Sequence, residues 1–266
     1  MNSLLNLKDI PQLSDIPNPP KQLFFIGHST KHLFDNCVAI VGSRQITEYG
    51  KRVIEMLVPK LVLGNYTIVS GFMRGVDQYT HRVCVENGGK TIAVLGWGID
   101  TILSPEDKKM ADRIVSHGGL LVSEWQIQRP TLWTFPVRNR IVAALSNEVY
   151  IIEAGLKSGS LITANWAVKL KRKLFAIPGP ITSRVSEGTN HLIANGQATM
   201  WLGSAIPQEK NSDPLVQLIA VEPLTIDQIA RKLNKSIAEL GASLSLLQLS
   251  GIIIERGGVY YKKLPC

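Results

Sequence analysis

The chain has 266 residues, 45% of them apolar, so it is long enough to bury a sizeable core and too hydrophobic to remain disordered. Its 29 Lys and Arg against 21 Asp and Glu leave a net charge of +8, which favours a polyanionic partner such as nucleic acid. Cys37, Cys84 and Cys266 lie far apart with no C-x-x-C pair, which argues against a zinc site or a disulfide framework and suits a reducing cytosol. The first residues lack a cationic start followed by a long apolar run, and no apolar stretch approaches the roughly 20 residues that span a bilayer. A soluble, cytoplasmic protein without membrane contact is expected.

Residues 1–36 read as an N-terminal arm and lead-in. From Val38, short runs rich in Val and Ile recur at 38–41, 66–70, 91–96, 119–123, 149–153 and 174–178, each followed by Gly, Ser or Pro. Runs of that kind read as strands buried on both faces. Segments 48–64, 77–89 and 160–173 between them have the length of crossover helices. The pattern predicts an α/β fold over 37–203, a doubly wound, mostly parallel sheet. Ligands of such sheets bind outside the carboxyl ends of the strands, so the loops after the apolar runs are the places to look.

Residues 204–214 lose apolar periodicity and read as a linker. Beyond it, Thr225 to Gln228 and Ser236 to Glu239 are two capping boxes, each opening an apolar-periodic helix. Gly251 to Glu255 and Val259 to Lys263, joined across Gly257-Gly258, read as two strands of a hairpin. Helices followed by a hairpin over 215–266 predict a small winged-helix module.

Four segments combine the residue types that bind anions. The first strand ends in Gly42-Ser43-Arg44, where glycine admits a close approach, serine offers a hydroxyl and arginine a fork matching phosphate. The second leads into 70–81, whose Gly71 and Gly75 permit a tight turn with outward N–H groups. Asp77 and His81 share a helix face there, the spacing of an acid/base or metal pair but also, and more often, of a local structural one. Segment 129–140 carries Arg138, Asn139 and Arg140 with Trp133 and Phe135, which suits phosphate contact and base stacking, although at least one arginine at the head of an apolar helix can be a tether. The fourth, Glu153 to Lys173, places Lys157-Ser158-Gly159-Ser160 after an apolar run.

The lysine of that last segment precedes its second glycine, the reverse of a Walker A loop, and no G-x-G-x-x-G follows the first strand. No nucleophile elbow, Ser-His-Asp order or Cys-His pairing stands out, and no third metal ligand accompanies Asp77 and His81. The expected site binds; catalytic residues, metal and cofactor are not expected.

Six ordered blocks, VAIVGSR (38–44), SGFMRGVDQYTH (70–81), GGKTIAVLGWGID (88–100), FPVRNRIVAALS (135–146), EAGLKSGSLITA (153–164) and FAIPG (175–179), resemble the DprA/Smf family of DNA-processing proteins. The resemblance covers residues 20–200 strongly and the C-terminal module more loosely. It implies an extended Rossmann-like domain that binds and protects single-stranded DNA, forms homodimers and loads RecA during natural transformation and recombination, without enzymatic turnover or cofactor. It also places DNA contacts on Arg44 and Lys157. Around these two, backbone N–H groups near Gly42, Gly71 and Gly159 and the hydroxyls of Ser43, Ser158 and Ser160 are expected to cradle phosphates, with Arg74, Lys109, Arg138, Asn139 and Arg140 completing the set.

Departures from the family pattern are Ser104-Pro105-Glu106-Asp107 where Tyr-Pro followed by Asn is usual, Phe72-Met73 where the pair is smaller, and Trp97 where the residue is small. The chain reaches Ile16 to Gly27 at once, so the helical N-terminal domain of many members is not expected. Its second capped helix, from Ser236, carries Glu239 and no Lys or Arg, which points to protein contact rather than groove reading. The alternative function is a nucleotide sensor or nucleotide-cleaving enzyme on the same fold, although the PGGxGTxxE block of related phosphoribohydrolases does not occur. A duplex-specific transcription factor is a third reading, disfavoured by that uncharged helix.

Overall fold

The computed structural model describes residues 3–203, 214–249 and 252–262, which belong to two compact units divided after Ser204. The linker expected at 204–214 lies, apart from Pro214, outside the described residues.

The first unit is built on a nine-stranded sheet. Its strands are β1 (Ser3–Leu4), β2 (Phe24–Gly27), β3 (Cys37–Val41), β4 (Thr67–Ser70), β5 (Thr91–Val94), β6 (Leu120–Ser123), β7 (Glu148–Ile151), β8 (Lys173–Ala176) and β9 (Thr199–Met200). They lie in the order β1-β2-β6-β5-β4-β3-β7-β8-β9. The strands from β6 across to β9 are parallel, and β2 runs antiparallel to both β1 and β6. The six apolar runs of the sequence are β3 to β8, and every residue of β3 to β7 is buried. That double burial is why the runs are continuous rather than alternating.

Between the strands lie α1 (Glu48–Leu63), α2 (Val76–Glu86), α3 (Pro105–Ser116), α4 (Thr134–Ala144), α5 (Ser160–Lys169) and α6 (Glu187–Ala194). Succession runs outward from β3 to β6 on one side and resumes on the other side at β7. The order therefore reverses between β3 and β7. A doubly wound sheet opens a crevice at that reversal, beyond the carboxyl ends of the two strands.

Two elements were not expected from the sequence. Helix α3 starts at the Ser104-Pro105-Glu106-Asp107 departure: the Ser104 hydroxyl accepts from Asp107 N at 3.2 Å, Pro105 takes the first helical position, and both acids sit in the first turn. These are ordinary helix-start signals. Residues 3–27 are the other surprise, because β1 and β2 extend the sheet, while Leu5, Ile10, Leu13, Ile16 and Leu23 sink into the core with Val41, Val69 and Ile151. The lead-in is part of the folded unit.

The second unit comprises α7 (Pro214–Val221), β10 (Leu224–Thr225), α8 (Ile226–Leu233), α9 (Ile237–Leu249), β11 (Ile253–Arg256) and β12 (Val259–Lys262). Its antiparallel sheet has the order β10-β12-β11, a winged helix. Both capping boxes form: Gln228 and Glu239 accept from the Thr225 and Ser236 backbone N–H groups at 2.9 and 3.0 Å. Gly257 and Gly258 have φ of +61° and +80°, which only glycine adopts cheaply in this two-residue turn. Helix α9 leaves Ile237 and Leu246 exposed. Among the described residues no helix is long and apolar enough to cross a membrane.

If residues 3–27 belong to the core, Leu23→Ala, at a side chain with no exposure, lowers unfolding stability by about 2 to 5 kcal/mol in urea titration. A loosely attached arm predicts a change near zero.

Candidate nucleic-acid interface

The crevice at the β3/β7 reversal is a cleft of about 70 Å³. Its floor begins where β3 ends. Gly42 has no room for a side chain, since a Cβ there meets Val76 Cγ2 at 2.7 Å and the Glu153 carbonyl at 2.9 Å. The next carbonyl, of Ser43, accepts from Val76 N at 3.0 Å, so the β3 loop is seated on the first turn of α2. Gly75, with φ of +91° and a Cβ position 2.3 Å from the Ser43 carbonyl, permits that contact.

Arg44 stands exposed at the cleft's edge, its guanidinium 5.5 Å from the centroid of Phe135. Among the described residues it has no ion-pair partner. Phe135, from the first turn of α4, lines the cleft and lies over Gly96, where a Cβ meets the ring at 2.6 Å. Behind it stand the two bulky departures from the family pattern, Trp97 edge-on to Phe135 at 6.2 Å and Phe72 edge-on to Trp97 at 6.4 Å. Both are buried, so they brace the Phe135 wall, while Met73 itself lines the cleft.

The second wall is a buried charge pair. Gly71, at the end of β4, leaves the space that Asp77 and Arg138 fill: a Cβ there meets the Asp77 carboxylate at 2.1 Å and the Arg138 guanidinium at 2.3 Å. Burial pushes the Asp77 carboxyl up to about 6, with the Arg138 charge and a hydrogen bond from Met73 N opposing it. Burial also lowers the Arg138 guanidinium, which donates to the Val94 carbonyl and whose Nε has no partner among the described residues. Next to Arg138, Asn139 donates to the Gly159 carbonyl at 3.0 Å and ties α4 to the entry of α5.

His81 does not bond Asp77. Its Nε2 donates to the Gly71 carbonyl and its Nδ1 meets the Thr91 hydroxyl at 2.7 Å, so the imidazole fixes the β4 loop from behind. Burial depresses it to about 4, leaving it neutral at pH 7. Among the described residues no His, Cys, Asp and Glu cluster has metal-binding geometry.

Helix α5 supplies the third wall. Gly159 and Ser160 line the cleft where this helix starts; the N-cap residue Gly159 has no side chain, the Ser158 hydroxyl accepts from Ser160 N at 3.4 Å, and a Cβ on Gly159 meets nothing within 4 Å. Ser158 and Ser160 bond each other at 2.8 Å. Lys157 is exposed on the loop two residues before Gly159, and Arg74 is exposed on the loop after β4; both are rim residues rather than part of the lining.

Of the thirteen expected DNA-binding residues, the cleft gathers Gly42, Arg44, Gly71, Arg138, Asn139, Gly159 and Ser160. Three depart from expectation. Arg140 is a structural tether: its guanidinium makes a two-pronged pair with Glu124 at 2.7 and 2.9 Å and donates to the carbonyls of Asn18 and Val137, which uses four of its five N–H groups. The Ser43 hydroxyl is spent inside its own turn, donating to the Gln45 carbonyl and accepting from Gln45 N. Lys109 is exposed on α3, after β5, and is no part of the cleft.

Glu153 escaped sequence reasoning. Its buried carboxylate accepts from Thr47 N at 3.0 Å and from the Thr47 hydroxyl, filling the N-terminus of α1 against Gly50. In dinucleotide-binding folds the pyrophosphate sits at the helix after the first strand. Here the chain's own anion occupies that place. The signal available was an acid directly following an apolar strand, opposite a Thr47-Glu48 helix start.

A Rossmann-like protein with a cationic, glycine-walled cleft at its switch point and a C-terminal winged helix is the class these observations define. The chain belongs to the DprA/Smf family: residues 6–207 match the model of DNA recombination-mediator protein A, and residues 203–258 that of the DprA winged helix domain. It is 34% identical to Protein Smf of Escherichia coli over 280 residues, covering 95% of this chain and 74% of that one. To the DNA processing protein DprA of Streptococcus pneumoniae it is 38% identical over 198 residues, 74% of this chain and 69% of the relative. The X-ray structure of the S. pneumoniae protein superposes with a TM-score of 0.67 over 75% of this chain and 71% of that chain. DNA processing protein A from Helicobacter pylori, a structure described as giving insight into a single-stranded DNA binding mode, does so with a TM-score of 0.67 at 33% identity over 75% and 90%.

The two buried titrating groups act oppositely on stability. His81, lowered from 6.5 to about 4, contributes stability that is complete above pH 6.5 and lost as pH falls toward 4. Asp77, raised from 3.8 to about 6, contributes stability that is complete below pH 3.8 and lost as pH rises toward 6. The stability gap between wild type and His81→Gln in urea unfolding is therefore wider at pH 7 than at pH 4.5. A gap independent of pH contradicts a buried, neutral imidazole.

Proposed function

We propose that the switch-point cleft holds the sugar-phosphate backbone of single-stranded DNA, and that the protein acts as a binding and recombination-mediating protein rather than an enzyme. The observation that carries this is the convergence of Arg44, Arg138, Asn139 and the glycine-led start of α5 on one small glycine-walled cleft. A helix N-terminus and two guanidinium groups are what an anion needs, and backbone contacts of this kind carry little sequence information. At about 70 Å³ the cleft suits a phosphate group. Whole small-molecule ligands fill pockets of roughly 300 Å³ or more. Together with Glu153 at the start of α1, this disfavours the nucleotide sensor or nucleotide-cleaving enzyme.

Exposed Lys157 and Arg74 add cationic rims on either side, and the bonded Ser158–Ser160 pair adds one neutral donor. Family membership and the S. pneumoniae and H. pylori likenesses support the same reading. Protection of incoming strands, their delivery to RecA during natural transformation, a homodimeric state and a cytoplasmic location follow from it as further parts of the proposal. The winged helix is assigned to protein contact, because α9 exposes Ile237 and Leu246 and has no Lys or Arg.

Arg44→Ala and Lys157→Ala, both at exposed positions, each weaken oligo(dT) binding about tenfold or more without lowering the unfolding midpoint. Neutralising about four phosphates gives a log-log salt slope near −3 by fluorescence anisotropy. A slope near zero, or both variants binding like wild type, refutes the assignment.

A further inference from the structure

Beside the cleft, the segment after β6 carries a surface that the phosphate contacts do not use. Residues 124–133 form a loop, yet it is held firmly: Gly98 N donates to the Gln128 carbonyl at 2.8 Å, Ile99 N to Trp125 at 2.9 Å and Asp100 N to Gln126 at 3.1 Å. A Cβ on Gly98 meets Gln128 N at 2.4 Å, so the two segments lie in backbone contact. At one end of the loop, the Glu124 pair with Arg140 anchors it to α4.

This anchored loop presents a tryptophan pair. Trp125 and Trp133 meet edge to face at 5.7 Å, and Trp133 is 52% exposed. Ile127 and Leu132 flank them at 83% and 93% exposure. Arg129 is exposed and has no ion-pair partner among the described residues. An aromatic pair on a loop that also exposes Ile127, Leu132 and the Arg129 guanidinium is costly to expose without a partner.

The sheet order sets its distance from the cleft. Along the carboxyl edge stand β7, β3, β4, β5 and β6, carrying in turn the α5 entry, Gly42, Gly71, Gly96 under Phe135, and Trp125. From β4 to β6 is two strand spacings, about 10 Å. The same edge thus runs from an anion cradle, past the Phe135 ring, to the tryptophan pair.

We propose that residues 125–133 are a base-stacking platform: nucleobases of a single strand whose phosphates occupy the cleft stack on Trp133 and Trp125, with Arg129 against the adjoining backbone. The proposal rests on the single-strand assignment of the cleft. Stacking of bases on aromatic faces is sequence-tolerant, as are contacts to the phosphate backbone.

Binding of oligo(dT) and of an abasic oligomer of equal length, hence equal charge, separates the two claims. Trp133→Ala and Trp125→Ala are expected to weaken oligo(dT) binding roughly fivefold or more, and Trp133→Phe much less. All three should bind the abasic oligomer as wild type does. Unchanged oligo(dT) binding by both alanine variants overturns the platform and leaves the patch as a protein-docking surface. Equal losses on both oligomers overturn it too, since the effect is then on fold or phosphate contact. A wild type that binds neither oligomer removes the cleft assignment along with it.

Discussion

The hydrogen bonds from Thr47 to the buried carboxylate of Glu153 join the start of α1 to the end of the β7 strand, across the point where the sheet order reverses. An unsatisfied helix N-terminus carries about half a positive charge, and in a doubly wound fold the one after the first strand is the usual anion site. Glu153 fills it from inside the chain. With that end occupied, the proposed phosphate contacts fall at the next opening along the crevice, where α5 begins at Gly159. The whole disposition of the cleft, with Gly42 against the Glu153 carbonyl and Gly50 against its carboxylate, depends on this contact.

The same crevice is kept open by missing side chains and held in shape by buried charge. Gly71 gives its Cβ volume to Asp77 and Arg138, which partly neutralise each other inside the protein. A lone buried guanidinium costs several kcal/mol, so Asp77 is part of what makes Arg138 tolerable beneath an anion site. Arg44 is different: exposed, stacked beside Phe135 and free of carboxylates among the described residues, it remains available to a ligand. Three arginines close in sequence or space thus play three roles, set by burial and partner. Arg140 is locked to Glu124, Arg138 is a buried wall of the cleft, and Arg44 faces out.

Much of this was legible from residue order. Continuous Val and Ile runs marked β3 to β8 because both faces of these strands are covered, and glycines at strand ends marked the crevice because the backbone comes close there. What stayed hidden was the partner of each charged group. Nothing local tells Arg138 from Arg140; their fates are decided by Val94 and Glu124, which lie 44 and 16 residues away. Glu153 gives no local sign of its role either, since its partner, Thr47, is 106 residues distant. Helix α3 was passed over although Ser104, Pro105 and two acids announce it, since that segment drew notice only as a departure from a family pattern.

We propose that Glu153 redirects the anion site from α1 to the entry of α5. Backbone amide shifts followed by NMR during titration with a short oligo(dT) test it directly. Large shifts are expected at Gly159 and Ser160, with Thr47 to Gly50 unmoved. Shifts at the start of α1 with silent Gly159 and Ser160 would contradict it.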